Sequence, residues 1–432
     1  MVSWNGTQMH LERNMGYVSD IFRSKVLKRL PGARAMGHVR YSTTGSSVLA
    51  NAQPIVVKTS MGPIGLEHNG NIVNAIELRR ELEQQGSIFQ TTSDSEVILH
   101  LMARNPRERL VDSLVETLTQ VRGAYSLMLL TDECLVAARD PYGFRPLVMG
   151  RLDGHYCFAS ESCAFDLLGA EFEREVEIGE VIVARGGEME SYRIPQAARP
   201  SRCLFEKVYF ARPDSRLFGE SVSQARLAMG ATLAREAPAA ADIVIPVPDS
   251  GLFAALGYAR ESGLPLEFGL IRNHYVGRTF IEPKQSIRDF GVRVKLNPVE
   301  ELIGGRRVVL VDDSIVRGTT SPKIVTMLRE AGASEVHMRI SCPPTAWPCH
   351  YGIAMPTREE LIASDHDVEE IRNFIGADSL TYLSLEGLLD SVDGPPESYC
   401  SACWSGDYRI PVSPIDDSQV ELFPIRQAEE EA

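Results

Sequence analysis

The chain has no long apolar run, no basic excess and no dense cysteine framework, and each absence removes a class of function. None of its apolar stretches is long enough to cross a bilayer, and Met1 is not followed by a signal-peptide pattern. The default expectation is therefore a cytoplasmic protein without a membrane partner. A formal charge of -14 argues against a nucleic-acid partner, because duplex binding needs a clustered basic face. Eight cysteines in 432 residues do not make a disulfide scaffold. Internal repeats are missing too. What remains is ordinary: 44% hydrophobic and 24% charged residues in a chain too long for one core, so two or more domains are expected.

The stretch that organises the second half is VVLVDDSIVRGTTS, Val308 to Ser321. Its apolar run, Val308 to Val311, predicts a strand buried on both faces. Two carboxylates, Asp312 and Asp313, stand at the strand end. A turn rich in small and hydroxyl residues follows, Ser314, Gly318, Thr319, Thr320 and Ser321, with Arg317 inside it, and then a helix opening near Pro322. Strand, small-residue loop and helix N-terminus form an anion cradle, since free backbone N–H groups and the positive helix end converge on the loop. Beside it, an acidic pair suits a ligand carrying both a phosphate and a diol. On spacing alone, the same two acids also fit a helix cap or a receiver-like metal site.

The exact string resembles the phosphoribosyl-pyrophosphate (PRPP) signature of type I phosphoribosyltransferases, and SIVRGTTS is most similar to the amidophosphoribosyltransferase family. The resemblance runs from near Met15 to about Tyr408. It implies an α/β type I phosphoribosyltransferase domain over residues 201–350, and a C-terminal helical segment with cluster ligands and an acidic tail over 351–432. It also implies an α+β N-terminal-nucleophile glutaminase domain, an αββα sandwich, over 1–200. Alternating helices and apolar strands after Arg202 agree with the α/β expectation. In the first half, Ile72 to Gln84 and Ser95 to Arg104 read as helices, and Ala124 to Leu130 and Cys134 to Arg139 as paired strands. Further on, Val222 to Arg235 and Phe253 to Ser262 read as helices, and Asp242 to Val247, Leu266 to Ile271 and Glu335 to Ser341 as strands.

In that first half, GHVRYSTTG, EHNGNIVN and TTSDSE are individually weak signals. Arg40 fits a surface cation, Asn69–Gly70 an ordinary turn and Asp94 a helix cap. In this order they resemble the glutamine site of the family. The resemblance implies that Arg40, Thr43 and Asp94 hold glutamine, while Asn69 and the Gly70 N–H stabilise the oxyanion. DPYGFRPLV, Asp140 to Val148, matches the family as well and is expected to shape the domain interior. One departure matters. The family's nucleophile is an N-terminal cysteine, and this chain matches only downstream of it. The expectation is an N-terminally incomplete glutaminase domain.

Cys134, Cys157, Cys163 and Cys342 lie in or beside apolar runs and are expected to be buried. Cys400 and Cys403 form a CxxC that fits half a zinc site, a redox pair or an iron–sulfur corner. The flanking strings CLFEKVYFARPDS, PCHYGI and YCSAC resemble the family branch that carries a [4Fe–4S] cluster, which implies ligands Cys203, Cys349, Cys400 and Cys403, with zinc as the alternative.

The resemblance further implies Mg²⁺ bound near Ser250, Asp312 and Asp313, and a cationic lid over PRPP carrying Tyr275, Arg278, Lys284 and Arg288. It implies purine nucleotides as feedback inhibitors and a homotetramer. The function expected is synthesis of 5-phosphoribosylamine from PRPP and glutamine-derived ammonia. Two alternatives are an ammonia-only transferase with an inactive glutaminase domain and a non-catalytic PRPP-sensing regulator.

Overall fold

The computed structural model describes residues 1–40, 47–196, 198–273 and 296–412. Two large buried clusters divide it. One gathers residues from Ile55 to Ile194, the other from Cys203 to Trp404. Among the described residues, no helix is long and apolar enough to cross a membrane.

The first half is built on a six-stranded antiparallel sheet. Its order is Glu188–Arg193, Glu180–Arg185, Leu135–Arg139, Gly123–Thr131, Gly62–Ile72 and Ile55–Thr59. Alternation along the strand Gly123–Thr131 sorts its two faces. Tyr125, Leu127 and Leu129 join the helices Ala75–Gln84, Glu96–Arg104 and Leu110–Leu118 on one side. On the other side, Ala137, Ile182 and the half-buried Met128 pack on the three-stranded sheet Val148–Leu152, His155–Ala159, Glu171–Glu175. The sheet containing Val2–Trp4 and Arg34–Met36 meets that face through Val2, Met36 and Leu130. The layers are thus helices, sheet, sheets. Beyond the second sheet layer, the short helix Cys163–Leu168 sets Phe165 against Gly150.

Two boundaries differ from the sequence reading. Ile72 ends a strand, and the helix begins only at Ala75. Helix Leu110–Leu118 was not anticipated, although Val111, Leu114 and Leu118 recur on one buried face.

The second half has a parallel four-stranded sheet in the order Ile243–Pro246, Arg307–Asp312, Glu335–Ile340, Ser379–Tyr382. The last strand corrects the expected boundary at 350. Residues after 351 are not a separate helical segment, because Ser379–Tyr382 completes this sheet and Ile371, Ile375 and Leu388 enter the same core. The run Leu266 to Ile271 is likewise shorter than expected. Only Leu270–Arg272 is a strand, pairing antiparallel with Leu296–Pro298, while Leu266 makes one isolated bridge. Helices Val222–Glu236 and Leu252–Ser262 cross at glycines. A Cβ on Gly230 would meet Ala254 O at 1.9 Å, and one on Gly257 would meet Leu227 O at 2.0 Å. Backbone contact this close needs glycine on both helices.

Candidate active sites

Strand Arg307–Asp312 delivers its carboxylates where open α/β sheets bind ligands, at the carboxyl end. Asp312 and Asp313 are both buried, and Asp313 N–H donates to Asp312 Oδ1 at 2.9 Å. Burial, and then the neighbouring Asp313 charge, push the Asp312 carboxyl well above the usual range. Such a pair calls for a cation or for hydroxyl donors. The following turn has Gly318 at φ +69°, where a Cβ would also meet Ile362 Cδ1 at 2.7 Å. Thr319 and Thr320 are exposed before helix Ser321–Glu330, whose first turn carries Pro322. Arg317 forms a half-exposed ion pair with Glu360 at 3.2 Å.

The adjacent strand ends one loop away. Pro246 pairs with Val311, and Val247 N–H donates to Val311 O at 2.8 Å. Gly251 packs on the same carbonyl, with its ideal Cβ 2.4 Å away. The loop bearing Ser250 is therefore held beside the acidic strand end. Tyr275, Arg278, Lys284 and Arg288 lie outside the described residues, as does Thr43.

A second cavity, of about 290 Å³, is lined by Arg40, Asn69, Gly70 and Asp94, so the structure gathers four of the five residues assigned to glutamine chemistry. Burial lowers the Arg40 pKa, and the Asp94 charge opposes that shift. Asp94 is fixed by Ile72 N–H at 2.9 Å. Gly70 has φ +151°, and a Cβ there would meet Ala124 O at 2.0 Å. No cysteine lines this cavity among the described residues.

Sequence reasoning missed His68 and Glu67, which lie within the quoted EHNGN string. His68 is buried with Nε2 3.1 Å from Ala124 O and Nδ1 2.9 Å from Ser95 Oγ. A carbonyl only accepts, so Nε2 carries a proton, while Nδ1 faces the Ser95 hydroxyl, which donates to Asp94 Oδ1 at 3.2 Å. That hydroxyl lies beside Asp94, so His68 orients the acid's neighbourhood. Burial, then His68 and Arg40, push His38 down to about 4, which keeps it neutral. Burial raises Glu67 to about 8.

The second half closes this cavity. Gly352 and Ala354 line it, Asn71 Nδ2 donates to His350 O at 3.0 Å, and a Cβ on Gly352 would meet Gly70 Cα at 2.6 Å.

All eight cysteines are free. Cys134 and Cys342 are buried as expected, but Cys157 and Cys163 are only half-buried, because the three-stranded sheet and short helix carrying them lie near the surface. Strand Arg202–Cys203 pairs in parallel with Tyr399–Cys400, setting Cys203 opposite Cys400. Cys349 and Cys403 share that neighbourhood: each of the four thiols is raised by burial, and the charges of two of the others also raise Cys203 and those of all three others raise Cys403. Tyr351 N–H donates to Cys349 Sγ at 3.3 Å. Among the described residues, no three metal-ligating side chains are already gathered about one point.

Residues 38–166 match a family model described as a glutamine amidotransferase domain. The chain is 52% identical to the amidophosphoribosyltransferase of Archaeoglobus fulgidus over 93% of this chain and 89% of that protein. It is also 52% identical to the chloroplastic enzyme of Vigna aconitifolia, over 95% of this chain and 84% of that one. The solved Bacillus subtilis glutamine PRPP amidotransferase, complexed with ADP and GMP, superposes with a TM-score of 0.89 at 47% identity, covering 96% of this chain and 91% of that chain. The chain belongs to the amidophosphoribosyltransferase family.

Proposed function

We infer that this chain transfers ammonia nitrogen to C1 of PRPP, releasing pyrophosphate and forming 5-phosphoribosylamine, the step that opens purine synthesis. The observation that carries the reading is the buried Asp312–Asp313 pair beside the Gly318 turn and a helix N-terminus. Ribose hydroxyls would donate to the two carboxylates, and the 5-phosphate would sit on the backbone N–H groups of residues 314–320. The nitrogen lone pair then forms the C1–N bond as the C1–O bond breaks, and pyrophosphate leaves with the electron pair. Ammonia loses a proton to give the neutral amine. Fixing C1 and excluding water would supply most of the acceleration. The lid residues Tyr275, Arg278, Lys284 and Arg288 belong to this reading on sequence alone.

Mg²⁺ fits the donor set, since it is commonly held by one or two carboxylates plus substrate phosphates. Asp312, Asp313 and Ser250 would hold it, and it would neutralise charge developing on pyrophosphate. Four free cysteines in one buried neighbourhood likewise suit a thiolate-ligated [4Fe–4S] cluster, or zinc, in a structural role. We assign glutamine binding and hydrolysis to residues 1–200, a division supported by the two separate cores. Arg40 and Asp94 match the carboxylate and ammonium of an amino acid, and Asn69 with Gly70 N–H the oxyanion. The relative solved with ADP and GMP supports purine nucleotides as regulators. Exposed Leu167, Leu168 and Phe172 suit a self-association surface of a homotetramer.

Pyrophosphate release from PRPP, with Mg²⁺ and anaerobically, tests the reading with ammonium and with glutamine as the nitrogen source. Release with ammonium is expected. PRPP binding without release from either source would contradict the transferase reading and favour a sensor.

A further inference from the structure

Arg145 is a buried charged group that neither reaction uses. Its side chain is 1% exposed, and Nε and Nη1 have no hydrogen-bond partner among the described protein atoms. Nη2 lies 3.1 Å from Glu206 Oε1, close enough for an ion pair but not aligned as a hydrogen bond. The guanidinium also stands 4.7 Å from the centre of the Phe210 ring. A buried guanidinium with two unspent N–H groups is costly, since each unmet donor forfeits its hydration.

Its surroundings suggest what those donors serve. Arg145 follows Phe144, whose carbonyl accepts from Cys203 N–H at 3.0 Å, and Phe144 stacks on Tyr351 at 4.2 Å. Glu206 is three residues beyond Cys203. Four thiolates around Zn²⁺ or an oxidised [4Fe–4S]²⁺ core make a dianion overall, and burying it needs compensation. We propose that Arg145 is the charge-compensating and positioning residue of the four-cysteine site. A first-domain side chain thereby stabilises a site whose ligands all belong to the second. The proposal rests on the cysteine-site reading above.

The test uses the full 432-residue chain prepared anaerobically, with iron, sulfide and zinc counted. Two variants are compared, Arg145→Met and Arg145→Met with Glu206→Gln, the second leaving no orphaned buried carboxylate. Metal release to an iron or zinc chelator is followed well below each variant's unfolding temperature. Release about 10–100-fold faster in both variants is expected, the usual effect of losing an outer-shell partner, with partial rescue by Arg145→Lys. A double variant that holds metal as the parent does would show that Arg145 serves only Glu206, and would overturn the proposal. A parent chain with neither iron nor zinc would instead remove the cysteine-site reading, and this proposal with it.

Discussion

At the scale of single residues, placement decides chemistry. Burial makes the charged form of Asp312 costly, and the proposed ribose hydroxyls or cation would return that cost. Replacing either acid, Asp312→Asn or Asp313→Asn, should lower kcat/KM for PRPP about 10²-fold, the usual effect of misplacing a reacting centre. Steady-state pyrophosphate release measures it. Arg40→Ala and Asp94→Asn should instead abolish glutamine binding in calorimetry while leaving ammonia-dependent release unchanged. Glu67 gives a pH prediction. Its folded pKa, about 8, lies above the ordinary carboxylate value, so the native state binds the extra proton. Its contribution is fully favourable below about pH 4.5 and is lost as pH rises to 8. Glu67→Gln should therefore show a Tm advantage that grows from pH 5 to 8 and then levels. A constant difference across that range would contradict the assignment. Asp312, Asp313, Arg40 and Asp94 could be picked out as candidates because their motifs are local strings. The burial of His68, Glu67 and Arg145 could not be foreseen, because a polar residue inside a strand or loop looks the same in sequence whether it faces water or a packed interior.

At the scale of elements, the PRPP strand, turn and helix could be read because all three are contiguous, with small residues between apolar runs. The same locality gave the paired strands Gly123–Thr131 and Leu135–Arg139. The cysteine neighbourhood could not be built this way. Its framework is a two-residue parallel pairing between segments almost 200 positions apart, Arg202–Cys203 and Tyr399–Cys400, and nothing in spacing announces it. The strand Ser379–Tyr382 was missed for a related reason. It is short and follows a helix, so only tertiary pairing reveals it. The crossing of Val222–Glu236 and Leu252–Ser262 is equally silent in sequence, yet tightly constrained. Gly230→Ala should push the two helices apart and cost about 1–3 kcal/mol, by analogy with overpacked cores. Urea unfolding would measure it, and a loss below about 0.5 kcal/mol would mean that the helices can yield, as surface positions do.

At the scale of the whole molecule, two cores share one seam. The segment from Cys349 to Ala354 runs from the cysteine neighbourhood to the wall of the cavity lined by Arg40 and Asp94, and Gly352 touches Gly70 across it. The proposed Mg²⁺ would be shared with substrate and lie outside either core, so EDTA should stop pyrophosphate release while leaving the unfolding transition in place. The most direct test of the central claim follows the bond itself. PRPP labelled with ¹³C at C1 is mixed with ¹⁵N-ammonium, Mg²⁺ and the chain, and C1 is watched by NMR. The account predicts a new C1 resonance split by coupling to ¹⁵N, absent with Asp313→Asn. A C1 signal that converts only to the hydrolysed ribose 5-phosphate, or does not change, would contradict it.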